Sequence, residues 1–184
     1  EYNGDKQFVT ASTYKLLVAY SLLKRIDSGA RSWDSDQACF NKMISLSDNA
    51  CAESFLNAIG VGTLTSEANA IGLKNSTFMK GGGPYTTAND QALLLGMIAT
   101  GQNFSSANQQ RLLEAMKKNV YRKGIPAGVS GTIADKVGFM NGLLHDSAIV
   151  YSSHGTYVLS IMTDGASWEA IADLAKQLDA LRAQ

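Results

Sequence analysis

The sequence predicts an α/β protein of the α+β type, in which an antiparallel sheet flanked by helices is joined to a helical lobe. Apolar residues recur at helical spacing through residues 12–119, and three β-rich runs then precede a final amphipathic segment. At 184 residues the chain is long enough for one buried core and short for two. We therefore expect a single domain, 1–184, with the helical lobe at about 12–118 and the sheet and C-terminal helix at about 119–184 plus 1–11.

The first part of the chain is predicted to be helical after a turn and a short strand at Phe8 and Val9. A helix begins at Ser12 and ends near Gly29, and its apolar residues cover so much of the circumference that it should be buried. Two helices, split near the SLSD segment, are expected at about 34–60, and a short one at about 63–71. The loop at 81–84 should be followed by a helix that is capped by Thr87 or Asn89. Another helix is expected at about 106–119.

The last third of the chain has the composition of strands. The runs GTIADKVGF, HDSAIVYSS and TYVLSIMTD are rich in β-branched and aromatic residues, and a Ser153-His154-Gly155 turn predicts a hairpin between the last two. The segment SWEAIADLAKQLDALRA then brings Trp168, Ile171 and further apolar residues onto one helical face. It should form an amphipathic helix packed on the sheet.

Charge and cysteine usage narrow the classes of function. Sixteen basic and sixteen acidic residues cancel without a basic cluster, so we expect no nucleic-acid partner. No run approaches the roughly 20 apolar residues of a membrane span. Cys39 and Cys51 show no metal-ligand spacing to His145 or His154, and we predict neither a metal site nor a cofactor. A disulfide, which would indicate an exported protein, and two buried thiols both remain open.

The chemistry is predicted to lie at Ser12 and Lys15. A Ser-x-x-Lys spacing at the start of a helix brings the hydroxyl and the amine onto one face within one turn. A lysine whose pKa is lowered by burial or by nearby positive charge can accept the proton of such a serine. The pattern alone is common, and a solvated surface pair or a capping serine explains most of its occurrences.

Two further motifs follow in order, Ser47-Asp48-Asn49 at a break between helices and Lys136-Val137-Gly138 in a predicted strand. This order resembles that of penicillin-binding proteins and class A β-lactamases, Ser-x-x-Lys, Ser-Asp-Asn and Lys-Thr-Gly. The flanking stretches TASTYKLLVAYSLL, ISLSDNACAESFLNAIG and YRKGIPAGVSGTIADKVGF are also similar to that superfamily, as is GLKNSTF followed by YTTANDQALLL. The resemblance covers nearly the whole chain and implies the β-lactamase/transpeptidase-like fold, trimmed at its N-terminus.

The resemblance implies a catalytic role for Ser12, Lys15, Ser47 and Lys136. Ser12 would form an acyl ester with Lys15 as proton acceptor, and Ser47 would relay a proton to the leaving group. Lys136 would supply positive potential to Ser47 and to a substrate carboxylate. Asn49 would hold the amide side chain of the substrate, although a helix cap is its simplest structural role, and Asp48 more simply braces its loop.

The third motif departs from the family. Substrate binding is predicted at Asn49, Val137, Gly138 and Phe139, with the backbone N–H groups of Ser12 and Phe139 forming the oxyanion hole. Val137 replaces the threonine hydroxyl that helps bind a substrate carboxylate. Losing a hydrogen bond to a charged group costs about 1.5 to 3 kcal/mol, so we expect weakened carboxylate recognition.

The loop between the second and third motifs departs as well. Class A β-lactamases carry there a glutamate that activates water to release the acyl group, whereas NSTFMKGGGPYTTA contains no acidic residue. Glu67 and Glu114 flank this loop in predicted helices, where we expect them to face solvent. Slow deacylation favours a D-alanyl-D-alanine carboxypeptidase or transpeptidase; the alternatives are a β-lactamase with another water-activating group and a non-catalytic binding module of the same fold.

The predicted partner is a cell-wall peptide or a β-lactam, and the resemblance implies an extracytoplasmic protein. The family has a helix and a strand before the nucleophile helix that this sequence lacks. A missing strand would expose a sheet edge. We expect an upstream segment or an oligomer contact to cover that edge.

Overall fold

The computed structural model describes residues 1–153 and 155–182. In the described part of the chain the elements are β1 (Phe8–Val9), a 3-10 helix (Ala11–Tyr14), α1 (Lys15–Asp27), α2 (Trp33–Ser45), α3 (Asn49–Ile59), α4 (Val61–Ala70), β2 (Tyr85–Thr86), α5 (Ala88–Thr100), α6 (Ser106–Lys117), α7 (Ile125–Gly128), β3 (Thr132–Met140), β4 (Leu143–Ser152), β5 (Gly155–Asp164) and α8 (Trp168–Leu181).

Helix α1 is the centre of the larger hydrophobic core. Its residues from Lys15 to Leu23 are all buried, and helices α2 to α6 pack around it. Ala134 of β3 and Ile149 of β4 belong to the same core, so one face of the sheet covers the helices. This confirms the prediction that the wide apolar surface of the segment after Ser12 marks a buried helix.

The three long strands form an antiparallel sheet in the order β3-β4-β5. A second core between the sheet and helices α7 and α8 contains Val150, Ile161 and Ile171 among others. The α+β class is therefore confirmed. Strands β4 and β5 pair out to Ser152 and Gly155, although His154 of the predicted turn lies outside the described residues. Within the described chain β5 has no strand on its outer edge, and the cover expected for that edge stays a prediction.

The first eleven residues differ from the expectation that they join the three-stranded sheet. Strand β1 pairs instead with β2, Phe8 opposite Thr86 and Val9 opposite Tyr85, in a separate two-stranded ribbon. The Val9 carbonyl still contacts the main sheet, since it lies 2.9 Å from His145 Nε2 on β4. This ribbon brings the loop before β2 to the nucleophile turn.

Cys39 and Cys51 form a disulfide between α2 and α3. Of the two alternatives that the sequence left open, the structure therefore contains the disulfide. It ties the start of α3, where the second motif ends, to the helical core. No described helix is both long and apolar enough to cross a bilayer.

Candidate active site

The nucleophile turn is held against strand β3 by a close backbone approach. Ser12 lies in the 3-10 helix that leads into α1, and the residue before it, Ala11, has a left-handed φ of 45°. A Cβ atom on Gly138 would lie 2.8 Å from Ser12 N. Since Phe139 follows Gly138 directly, the two backbone N–H groups predicted to form the oxyanion hole belong to adjoining segments. The first N–H groups of a helix have no intrahelical acceptor, so that of Ser12 is available.

Lys15 is buried and is held by the second motif. Its Nζ donates to the Ser47 carbonyl at 2.6 Å and to Asn49 Oδ1 at 2.7 Å, and lies 3.3 Å from Ser47 Oγ. The Ser12 hydroxyl has no hydrogen-bond partner among the described residues. The structure therefore brings Lys15 to Ser47 and Asn49, and Lys15 forms no hydrogen bond with Ser12. Catalytic hydrogen bonds of this kind commonly tighten only when substrate binds.

Ser47 connects the two lysines. Its backbone adopts a left-handed φ of 57°, which a non-glycine residue rarely does. Its hydroxyl accepts a hydrogen bond of 2.9 Å from Lys136 Nζ, and Lys15 Nζ lies on its other side. Unusual backbone conformations held by surrounding contacts concentrate at functional sites. The three side chains form a continuous chain of proton donors and acceptors.

The same burial lowers the pKa of both lysines. Burial lowers the pKa of Lys15 to about 8, although the charges of Asp48 and Glu53 oppose the shift. Lys136 is 0% exposed, and burial together with the neighbouring Lys15 charge lowers its pKa to about 7. Two ammonium groups that face one hydroxyl disfavour each other's charged form. Near neutral pH this pair can therefore exchange protons with Ser47.

Buried carboxylates lie behind Lys136. Asp135 pairs with Arg122 and accepts a hydrogen bond from Asn119, while Asp146 accepts from the Ile125 backbone at 2.8 Å. Burial raises the pKa of both carboxyls, and Arg122 opposes the shift. Arg122 is thus engaged within the fold, as is Lys136, whose Nζ also donates to the Val137 carbonyl at 2.9 Å. Lys136 is therefore not a solvated strand lysine, because its side chain is buried.

The rest of the second motif has separate contacts. Asp48 caps α3 by accepting the Cys51 N–H at 2.8 Å, which agrees with the bracing role expected for it. Asn49 does not cap the helix, since its Oδ1 binds Lys15.

A cleft of about 410 Å³ opens at Ser12. Helix α3 contributes Asn49 and, one turn later, Glu53, and the loop before β2 contributes Gly82 and Gly83. Glu53 is exposed, and its carboxylate has no hydrogen-bond or ion-pair partner among the described residues. Glu53 belongs to none of the sequence motifs. Its place four residues after Asn49 on the same helical face was the signal that could have identified it.

The two glutamates considered from sequence lie elsewhere. Glu67 faces solvent only in part, because it pairs with Arg25 at 2.9 Å and accepts a hydrogen bond from Ser21 on α1. Glu114 is exposed and pairs with Lys117, as expected for a surface residue. Neither lines the cleft at Ser12.

A second cavity of about 240 Å³ lies beside Val137. Phe139 lines both cavities, so the two adjoin at its ring. Its ring makes edge-to-face contacts with Tyr121, centroids 5.3 Å apart, and with Trp168, 6.2 Å apart. The remaining lining residues are Val120, Arg122, Lys123 and Leu144.

One family model matches most of this chain. The family model described as the β-lactamase enzyme family matches residues 35–181, so the nucleophile turn lies outside the matched range. A search of curated proteins finds no match.

Solved structures are similar over almost the whole chain. A β-lactamase from Burkholderia vietnamiensis superimposes with a TM-score of 0.91 at 18% identity, covering 100% of this chain and 86% of that one. A β-lactamase from Sphaerobacter thermophilus superimposes with a TM-score of 0.89 at 20% sequence identity, covering 99% of this chain and 85% of that one. A PBP-A mutant, solved as an acyl-enzyme complex with penicillin G, superimposes with a TM-score of 0.90 at 22% sequence identity. The match covers 98% of this chain and 84% of that one. At these identities the likeness establishes the fold.

Proposed function

The chain belongs to the β-lactamase enzyme family of serine hydrolases, and on that premise we propose that it is a serine acyl-enzyme that forms an ester on Ser12. The acyl donor that we propose is a D-alanyl peptide of the cell wall, as in a D-alanyl-D-alanine carboxypeptidase or transpeptidase. A β-lactam would react at the same serine. The observation that carries the proposal is the contact chain from Lys15 through Ser47 to Lys136, which reaches the cleft at Ser12 because Lys15 also binds Asn49, one of the residues that line it.

In the proposed reaction the Ser12 oxygen attacks the carbonyl carbon of the donor, and the hydroxyl proton passes to neutral Lys15. The oxyanion is stabilised by the backbone N–H groups of Ser12 and Phe139. As the bond to the leaving group breaks, Ser47 donates its proton to that group and recovers one from a neighbouring lysine. The products are the Ser12 ester and the protonated leaving group. The lowered pKa of Lys15, about 8, supports its role as proton acceptor.

Slow release of the ester is part of the proposal. The loop that carries the water-activating glutamate in class A β-lactamases is reduced here to a glycine-rich segment, and the acidic side chain lining the cleft is instead Glu53 on α3. The second candidate function is a β-lactamase with a different water-activating group. Its specific support is the position of Glu53 in the cleft.

One labelling experiment distinguishes these functions. The protein is incubated with a fluorescent penicillin and its intact mass is followed over time. A persistent adduct that is lost in Ser12→Ala supports the acyl-enzyme with slow release, and a transient adduct with turnover supports the β-lactamase. The absence of any adduct would instead favour a non-catalytic binding module. Ser28→Ala, an exposed serine at the end of α1, is the matched control and should label as the wild type does.

The proposal also includes an extracytoplasmic location, where cell-wall peptides occur. The Cys39–Cys51 disulfide supports it, because disulfides persist mainly in oxidising compartments. Trapping free thiols in protein taken directly from its source cells tests this part: alkylation of both cysteines would contradict it.

A further inference from the structure

The cavity beside Val137 occupies the place where the third motif of the family contributes a hydroxyl to bind a substrate carboxylate. In this chain the residue there is a valine that is 1% exposed and carries no polar atom in its side chain. The side chains of Val137 and Phe139 project from the same face of β3 because they are two residues apart on one strand. Leu144 lies directly opposite Phe139 on β4. This part of the site is therefore apolar on both strands.

The cations near this cavity are engaged or exposed to solvent. Lys136 is 0% exposed, and its Nζ donates to Ser47 and to the Val137 carbonyl. Arg122 uses Nη1 to donate to the buried Asp135 and to the Ile133 carbonyl, so its charge is already paired with a carboxylate of the fold. Lys123 is exposed at the rim, where an ion pair with a ligand is screened by water. A carboxylate in this cavity would meet apolar side chains and two cations that are already paired or open to water, so it would gain little in exchange for its hydration.

The walls suit an apolar group instead. Phe139 lies between Tyr121 and Trp168 in two edge-to-face contacts, so three rings line one space. Val120, Tyr121 and Phe139 each expose more than a third of their surface at this place, although large apolar side chains are usually buried. Three exposed large apolar side chains around one cavity favour a binding surface. An apolar cavity of roughly 150 Å³ takes a benzene ring, and this one measures about 240 Å³.

We propose that this cavity is the leaving-group subsite and that it takes an apolar, preferably aromatic, group in place of a carboxylate. The inference rests on the proposed acylation of Ser12 and narrows its substrate class. The acyl part remains D-alanyl, but a leaving group with a ring at this position reacts faster than one with a carboxylate. The bond to Ser12 Oγ forms and the bond to the leaving sulfur or nitrogen breaks, and the proton of the serine ends on that leaving atom.

Two thioesters with the same acyl part test the proposal. N-acetyl-D-alanine is esterified with phenylmethanethiol or with mercaptoacetate, so that the leaving groups differ only in phenyl against carboxylate. Acylation rates are followed by intact mass or by thiol release. Since burying a ring of this size is worth roughly a tenfold factor or more, we expect the phenylmethyl ester to react at least about ten times faster. Equal rates, or a faster mercaptoacetate ester, would overturn the proposal.

Variants at the cavity test whether its residues cause the faster reaction of the phenylmethyl ester. Trp168→Leu removes one ring and Val137→Thr restores a hydroxyl, and each should bring the ratio of the two rates closer to one. Trp33→Leu is the matched control, because Trp33 lies on α2 against Phe40 in the helical core, and should leave the ratio unchanged. A ratio that is insensitive to both cavity variants would place the preference elsewhere and refute the assignment.

A binding measurement separates this proposal from the proposed function. Ser12→Ala protein is titrated with N-acetyl-D-alanine benzylamide and with N-acetyl-D-alanylglycine, which differ by the same exchange of phenyl for carboxylate. Tighter binding of the benzylamide, with no acylation of the wild type by either thioester, would uphold the subsite and reject the acyl-enzyme. Acylation without any preference for the benzylamide would uphold the acyl-enzyme and reject the subsite.

Discussion

Adding one methyl group at Gly138 should separate strand β3 from the nucleophile turn. The Cβ atom of an alanine there would lie 2.7 Å from Thr10 O, 2.8 Å from Ser12 N and 3.0 Å from Thr13 N. All three are backbone atoms, so no side-chain rotation can relieve the contact. Overpacking of this kind costs about 1 to 3 kcal/mol, and we expect Gly138→Ala to lower the free energy of unfolding by that amount.

The effect on catalysis should exceed the effect on stability. The displaced atoms include Ser12 N, which is predicted to stabilise the oxyanion together with the N–H of Phe139. A displacement of about 1 Å in a catalytic arrangement can cost on the order of a hundredfold in rate. We therefore expect acylation by a fluorescent penicillin to slow by about a hundredfold under conditions where the variant remains folded.

Urea unfolding and the time course of labelling measure the two effects separately. Gly96→Ala is the matched control: this glycine lies inside α5 with nothing within 4 Å of the added Cβ. It should label normally and unfold at slightly higher urea, because alanine favours a helix by up to about 1 kcal/mol over glycine. If Gly138→Ala labelled as fast as Gly96→Ala, the close approach of β3 to the nucleophile turn would not be a requirement for acylation.

Three further predictions follow from single contacts. Glu53→Gln removes a negative charge that raises the pKa of Lys15, so the rising limb of the pH profile for acylation should move to lower pH. The shift should be smaller at high salt, which screens the charge. Glu114→Gln on α6 is the control and should leave the pH profile unchanged. Cys39→Ala removes a disulfide with a sequence separation of 12 and should lower the free energy of unfolding, measured in urea, by about 3 kcal/mol. A free energy of unfolding equal to that of the wild type would contradict the cross-link. Arg122→Ala leaves the buried Asp135 carboxyl with Asn119 as its remaining side-chain donor. Burial raises the pKa of that carboxyl to about 8, so the substitution should cost about 3 to 5 kcal/mol at alkaline pH, where the carboxyl is charged. That deficit should shrink as pH falls and the carboxyl is protonated, so a deficit independent of pH would argue against the pairing.

The order of the motifs was sufficient to predict the fold. Periodicity separated the helices from the three strands, because helical and extended backbones repeat at 3.6 and 2 residues and only one face of each is buried. The close contact of Gly138 with the nucleophile turn is also consistent with the sequence, since only a residue without a side chain fits there. The roles of Ser12, Lys15, Ser47 and Lys136 stay predictions until labelling tests them.

Strand pairing and the surroundings of acidic residues could not be predicted in the same way. The pairing of β1 with β2 joins segments about 75 residues apart, and no local pattern specifies it. Glu67 and Glu114 both lie in helices, yet one contacts α1 and the other faces water, because the packing of neighbouring helices decides which face is covered. Glu53 was missed because its significance depends on the cleft that it lines.

The sequence by itself determined the succession of helices and strands and the order of Ser12-x-x-Lys15, Ser47-Asp48-Asn49 and Lys136-Val137-Gly138. These depend on spacing along the chain, which is covalent. Only the tertiary structure decided that Lys136 is fully buried with its Nζ on Ser47 and that Val137 adjoins a cavity lined by three aromatic rings. Desolvation and cavity shape arise where distant segments pack together, so the pKa of each lysine and the chemistry of the leaving-group side cannot be obtained from neighbours in sequence.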